Sequence, residues 1–253
     1  MITRARPLLG TLVAIRADVD QAAIERAFAA VERVHRLMSF HSSDSDVARI
    51  NREAHQRVIP VDPRTFEVLR CAKQLSETTD SAFDIVLPGA GGCHADLILA
   101  EDPSVRLRRP MRIDLGGIAK GFAVDEAIAS LVASGASRGC VNAGGDLRRF
   151  GSPFDAICVR VPGSYHSSIA LPSTPHAAFA TSSSYFGSRI NDVREKRKIR
   201  LDWSVTVAAP TCMLADALTK AVALLGPVPS LLRAFGAAAF AVDREGRLYA
   251  AGT

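Results

Sequence analysis

The chain has 253 residues, 48% hydrophobic and 23% charged, which is enough apolar material for a substantial core and argues against wholesale disorder. Its formal charge of +5 comes from basic residues scattered along the sequence, so a polyanionic ligand suits it better than a nucleic-acid stripe. Five widely spaced cysteines without a CxxC pair fit reduced thiols better than a disulfide framework or a zinc site, and six histidines without HxxxH or HExxH spacing disfavour a zinc hydrolase.

The first residues, Met1 to Pro7, show no basic region followed by a long apolar one and no lipobox cysteine. No run of about eighteen apolar residues occurs anywhere, so the expectation is a cytoplasmic protein without membrane insertion. Leu8 to Ala17 reads as a first strand with Gly10 inside it. Ala22 to Met38 places Ile24, Ala27, Phe28, Val31, Val34 and Leu37 at helical spacing. Phe40 to Asp46 reads as a polar turn, and Asp62-Pro63 starts a second helix carrying Phe66, Leu69 and Leu75. Pro88 to Pro110, rich in Gly and Pro, is expected to hold one short strand or none. Ile118 to Ala133 is a helix entered through Gly116-Gly117. Strands are expected at Gly139-Val141, Ala156-Val161, Ala177-Ala180 and Val205-Ala208. A helix from Cys212 to Leu225 ends at Gly226-Pro227, a short segment covers Pro229 to Phe235, and strands Ala237 to Val242 and Arg247 to Ala251 flank a turn at Arg244-Glu245-Gly246. Without a βαβ rhythm, the fold class is α+β, with mixed, largely antiparallel sheets packed with helices in a single domain, 1–253, of one or two intimately packed lobes.

Three stretches carry chemistry. In Ile113 to Asp125, Gly116 and Gly117 lead into a helix with Lys120 in its first turn. That is either an ordinary capping turn or an anion site built from free N–H groups, the helix dipole and a lysine. Val141-Asn-Ala-Gly-Gly-Asp146 is either a loop hugging a ligand or a tight turn in which Asp146 bonds nearby amides. In Ala215-Asp-Ala-Leu-Thr-Lys220, Asp216 sits on an otherwise apolar helix, where a carboxylate must be paired or bound to a cation. Lys220, one turn on, is the simple partner, whereas hard oxygen ligands would suit Mg²⁺.

Taken together and in order, these stretches resemble the ApbE flavin transferases over nearly the whole chain. The resemblance begins at Leu9-Gly-Thr11 and runs through Leu37 to Asn51, Ala82-Phe-Asp-Ile-Val86, Ile113 to Asp125, Val141 to Gly151, Ala180 to Tyr185 and Ser204 to Lys220. It implies an ApbE-like, T-fold-related architecture. The implied activity is Mg²⁺-dependent transfer of FMN from FAD to a threonine or serine hydroxyl of a target flavoprotein, with AMP released. Magnesium-dependent cleavage of FAD to FMN and AMP, and FAD binding without catalysis, are the alternatives.

By the same resemblance, Gly117 (through its carbonyl) and Asp216 hold the magnesium, Asp216 and Lys120 act in catalysis, and Lys120 contacts FAD. Leu9, Phe40, Ala82, Phe83, Asp84 and Asp192 would contribute to flavin binding. The family's threonine four residues after the metal aspartate is Lys220 here, with Thr219 one position early. An ammonium cannot ligate a metal, so either Thr219 or water completes the shell, or Lys220 replaces part of the metal's charge on the phosphates. The family's histidine before the metal helix, a proposed base for the acceptor hydroxyl, is Arg189, which stays protonated. His41 and His94 are the spare histidines.

Overall fold

A computed structural model of the chain describes residues 1–89, 91–152, 156–164, 166–183, 190–192, 195 and 197–252, with the backbone alone at 190–192, 197 and 198. Strand β1 (Ile2–Leu8) pairs antiparallel with β2 (Thr11–Ala17), Leu8 opposite Thr11. The single strand expected from Leu8 to Ala17 is therefore the second arm of a hairpin that turns at Leu9 and Gly10. The first arm was missed because Arg4, Arg6 and Pro7 break its apolar pattern, although Arg6 turns inward over the Phe28 ring and pairs with Glu25.

Helix α1 (Gln21–Met38) is capped by Asp20, whose side chain accepts the Ala23 amide, and it buries the expected Ile24, Ala27, Phe28, Val31 and Val34. Where a turn was expected to reach Asp46, helix α2 (Asp46–Glu53) begins, with Ser45 accepting the Ala48 amide. Its eight residues are too short to display an apolar stripe, so its cap is the only local signal. Strand β3 (Ile59–Pro60) precedes α3 (Pro63–Thr78), which starts at the Asp62-Pro63 signal.

The stretch from 88 to 110 holds a 3-10 turn (His94–Asp96) and two strands, β4 (Leu97–Leu99) and β5 (Ser104–Leu107), which join β3 in a sheet ordered β3-β5-β4. This corrects the expectation of one strand or none. The strands have three and four residues, too few for alternation to register, and burial of Leu97, Val105 and Leu107 fixes them instead.

The rest of the chain supplies α4 (Ala119–Ala133), β6 (Gly139–Ala143), β7 (Asp146–Phe150), β8 (Cys158–Arg160), β9 (Ser168–Ala170) and β10 (Ala178–Ser182). Then come β11 (Ile190–Asp192), β12 (Arg197–Ile199), β13 (Ser204–Ala209), α5 (Cys212–Leu225), α6 (Pro229–Ala234), β14 (Ala238–Val242) and β15 (Leu248–Ala251). Strand β7 went unforeseen because its arginines masked the alternation.

The principal sheet has eight strands ordered β1-β2-β6-β7-β10-β13-β14-β15, every pair antiparallel. The α+β class holds. Helices α1, α4 and α5 lie on one face, with α4 between α1 and α5 and also against β6 and β7. That position explains why α4 is apolar nearly all round, burying Phe122, Val124, Ile128 and Leu131 among others. On the opposite face, Phe179, Ala208, Ala238 and Phe240 pack with Val159, Val161 and Leu171. Among the described residues no helix is long and apolar enough to cross a membrane.

Candidate active site

The site begins where α4 and α5 approach most closely. A β-carbon built on Gly121 would lie 2.2 Å from the Cys212 carbonyl oxygen and 2.9 Å from Asp216 Cβ, so only glycine permits this packing. The approach brings Asp216, fully buried, to the first turn of α4, where its Oδ2 accepts the Gly121 amide at 3.0 Å. In return, Asp125 on α4 accepts the amides of Cys212 (3.0 Å) and Met213 (2.8 Å) in the first turn of α5, and Arg148 pairs with it at 2.7 Å. Each helix thus places a carboxylate on the positive end of the other.

Two lysines neutralise the site. Lys220 Nζ contacts Asp216 Oδ1 and also donates to the Asp216 backbone carbonyl at 2.9 Å. Lys120 Nζ pairs with Asp146 and stands 3.8 Å from Asp216 Oδ2. Burial pushes the Lys120 ammonium below the usual lysine range; Asp216 counters this and Lys220 adds to it. The glycine pair before Asp146 forms the two-residue turn of the β6–β7 hairpin, with positive φ at Gly144 (65°) and Gly145 (103°). Asn142, not Asp146, accepts the turn amide, from Gly145 at 2.9 Å, which leaves Asp146 for Lys120.

In front of these charges lies a cavity of about 330 Å³ lined by Ala82, Phe83, Asp84, Ile85, Val86, Leu87, Asp114, Gly116, Gly117 and Lys220. Its 82–87 wall is pinned at both ends. Thr79 accepts the Phe83 amide on its hydroxyl (3.0 Å), Asp84 accepts the Val86 amide (2.9 Å), and Leu87 donates to the Arg112 carbonyl (2.9 Å). The adjoining 112–114 segment, bridged to this wall at Val86 and Ile113, is held by Asn51, whose side-chain amide exchanges two hydrogen bonds with the Ile113 backbone, at 2.9 and 2.8 Å. A second cavity, about 460 Å³, lies around Arg16, Arg138 and Arg149, and none of the expected site residues lines it.

A family model described as the ApbE family matches residues 9–241. The chain belongs to the ApbE family. The FAD:protein FMN transferase of Klebsiella pneumoniae is 28% identical over 52% of this chain and 50% of its own length. That of Rhodobacter capsulatus is 29% identical over 66% of this chain and 39% of its own length, and that of Vibrio cholerae 26% over 78% and 71%. The matched region thus spans half or less of the first two relatives. Among solved structures, the flavin transferase ApbE from Vibrio cholerae shares the fold with a TM-score of 0.83 at 23% identity, covering 99% of this chain and 96% of that one. The ApbE protein from Thermotoga maritima gives 0.83 at 25% identity over 99% and 96%.

Of the residues the ApbE resemblance singles out, Ala82, Phe83, Asp84 and Gly117 line one cavity, with Asp216 directly behind Lys220. Leu9 and Phe40 do not line it. Leu9 sits in the β1–β2 turn at φ 55°, and Phe40 carries the Arg112 guanidinium 4.9 Å from its ring centre. Lys120 does not line it either; its ammonium is drawn back to Asp146. Arg189 lies outside the described residues, and Asp192 is described only by its backbone in β11. His94 approaches Asp84 at 3.4 Å and Ser81 at 3.1 Å, whereas His41 is exposed and packs edge-on against Phe40. Asp114 was overlooked: it lines the cavity and accepts the Gly116 amide at 2.8 Å, an Asx turn that an aspartate two residues before a glycine could have signalled.

The start of α4 is less open to an anion than its glycines suggest. The amides of Ile118 and Ala119 both donate to the Leu115 carbonyl, Gly116 donates to Asp114, and Gly121 to Asp216.

Nor does the donor set fit the magnesium ion that the family resemblance implies. Mg²⁺ requires near-octahedral oxygen ligands. Asp216 Oδ1 carries an ammonium and Oδ2 an amide, while the Thr219 hydroxyl is bonded to the Asp216 carbonyl (2.7 Å) and to Ser182 (2.7 Å). Thr219, three residues after Asp216, is fully buried against β10 and lines no part of the cavity. Among the described residues no three His, Cys, Asp or Glu side chains gather as a metal cluster.

Proposed function

We propose that the chain takes FAD as its substrate and transfers the FMN half to a threonine or serine hydroxyl of an acceptor protein, releasing AMP. One juxtaposition carries the reading: a cavity lined by Phe83 and residues 84–87 has Lys220 in its lining too, with the buried Asp216 paired to the lysine's ammonium. A flavin joined to a pyrophosphate calls for this combination of an apolar wall and a positive edge. The volume, about 330 Å³, suits one end of the dinucleotide and leaves the other end outside.

In the proposed reaction the acceptor oxygen attacks the phosphorus of the FMN half. The bond from that phosphorus to the bridging oxygen breaks, AMP departs with the electron pair, and the hydroxyl proton ends on the AMP phosphate or in solvent. The chain's contribution is positioning and charge. Phe83 and the pinned 82–87 wall orient the flavin. Lys220 at the cavity edge, with Lys120 further back, offsets the negative charge that grows on the phosphoryl oxygens. Magnesium has no part in this reading, because the oxygens of Asp216 are already engaged.

The test is incubation with FAD and a threonine-bearing acceptor protein, followed by denaturing electrophoresis under flavin fluorescence. A fluorescent acceptor band is expected. AMP without a band would instead make water the acceptor, and no AMP would refute the cleavage.

A further inference from the structure

The residue that faces the cavity from α5 is Lys220, and Asp216 reaches the cavity only through it. The lysine is held rather than loosely placed. Its ammonium contacts Asp216 Oδ1 and donates to the Asp216 carbonyl, and a β-carbon built on Gly117 would lie 3.6 Å from its Cε. Phe83 lies at the same 3.6 Å from that point, so the lysine methylenes, Gly117 and the aromatic ring meet in one place. An ammonium has three N–H donors. Two go to Asp216, which leaves one for an anion in the cavity.

Resting on the flavin reading above, we propose that the Lys220 ammonium occupies the position of a divalent cation between Asp216 and the pyrophosphate, so that this chain binds FAD without a divalent metal. Lysine is a compact point charge well suited to phosphate oxygens. Asp216 keeps it oriented, as it would keep a metal ion, and Gly117 leaves room for its terminal carbon. A free Mg²⁺ ion would have to displace an ammonium already held by Asp216 Oδ1 and the Asp216 carbonyl, while Oδ2 stays on the Gly121 amide.

The experiment is a titration of FAD, followed by quenching of its fluorescence, in EDTA and again in excess Mg²⁺. It uses the wild-type chain, Lys220→Met, which keeps the methylene packing without the charge, and Lys220→Thr, which removes the ammonium and adds a hydroxyl. Melting curves confirm that each variant is folded. The expected result is a wild-type Kd that changes less than about twofold with Mg²⁺, weaker binding by Lys220→Met in EDTA, and a coupling of about fivefold or more between Mg²⁺ and FAD in Lys220→Thr. Wild-type binding that tightens about fivefold or more with Mg²⁺ would overturn the inference and leave the flavin reading standing. Wild-type affinity retained by Lys220→Met would also overturn it. No FAD binding under either condition would refute the flavin reading itself, and this inference with it. Should either variant fail to fold, the wild-type pair of titrations still decides.

Discussion

Asp125 and Asp216 cap each other's helices: the α4 aspartate accepts two amides at the start of α5, and the α5 aspartate accepts one at the start of α4. Burial raises the Asp125 carboxyl above its usual range, against the opposing pull of the Met213 and Cys212 amides and Arg148. A carboxyl whose folded pKa is raised contributes stability that is complete below the unfolded pKa and is lost as pH rises through the folded one. Asp125→Asn should therefore cost about 1–3 kcal/mol, because it turns an amide donor toward the helix N–H groups. The gap to wild type should be wider near pH 4 than near pH 8. Denaturant unfolding at both pH values measures it, and a gap that widens with pH would contradict the sign.

The reciprocal caps exist only because α4 and α5 touch at Gly121. A methyl group there meets the Cys212 carbonyl, which is helix backbone and cannot swing aside. Gly121→Ala should cost about 3 kcal/mol or more, the upper part of the overpacking range. A melting temperature within a degree or two of wild type would show that the helices separate easily and that the site is looser than described.

Much of this site was legible in the sequence, for reasons that differ by residue. Asp216 announced itself as a charge on an apolar helix, and the Gly116-Gly117 start of α4 was visible as punctuation. The long helices α1, α4 and α5 were readable because their apolar residues repeat over several turns. Helix α2 and strands β4, β5 and β7 were not, because short elements take their identity from what they pack against. The role of Lys220 was open for a related cause: whether a lysine one turn past an aspartate pairs with it or swings into solvent depends on Gly117 and Phe83, more than a hundred residues away in sequence. The family resemblance offered Thr219 as a stand-in for a threonine one position later, yet three residues past Asp216 the hydroxyl turns toward Ser182 on β10.

Asn51 acts on the cavity without lining it. Its side chain imitates a neighbouring strand by giving and accepting one hydrogen bond with Ile113. Asn51→Ala leaves both backbone groups of Ile113 without these partners and should cost about 2–4 kcal/mol, from about 1–3 for each group less what water recovers. FAD affinity should fall as well, since Ile113 immediately precedes the cavity residue Asp114. Asn51→Asp, which keeps the acceptor and loses the donor, should fall between the two. Equal stability of all three proteins would remove Asn51 from the account.

The thiols should separate sharply in reactivity. Cys93 and Cys158 are exposed, whereas burial pushes Cys71 up to about 11 and raises the fully buried Cys212 well above the usual thiol range. Only the thiolate reacts. Alkylation at pH 8 with peptide mapping should therefore label Cys93 and Cys158 first, with Cys71 and Cys212 modified only after unfolding. Early labelling of Cys71 would contradict the packing of α3.

The central claim is that the pyrophosphate of FAD is cut at this cavity and the FMN half handed to a protein hydroxyl. The most direct measurement is a quantitative pair, AMP by chromatography and covalent flavin on the acceptor by mass spectrometry, taken from one reaction. The account predicts AMP and flavinylated acceptor in equal amounts, and neither product when Lys220 is replaced by Met. AMP formed in excess of covalent flavin, or both products undiminished in Lys220→Met, would contradict it.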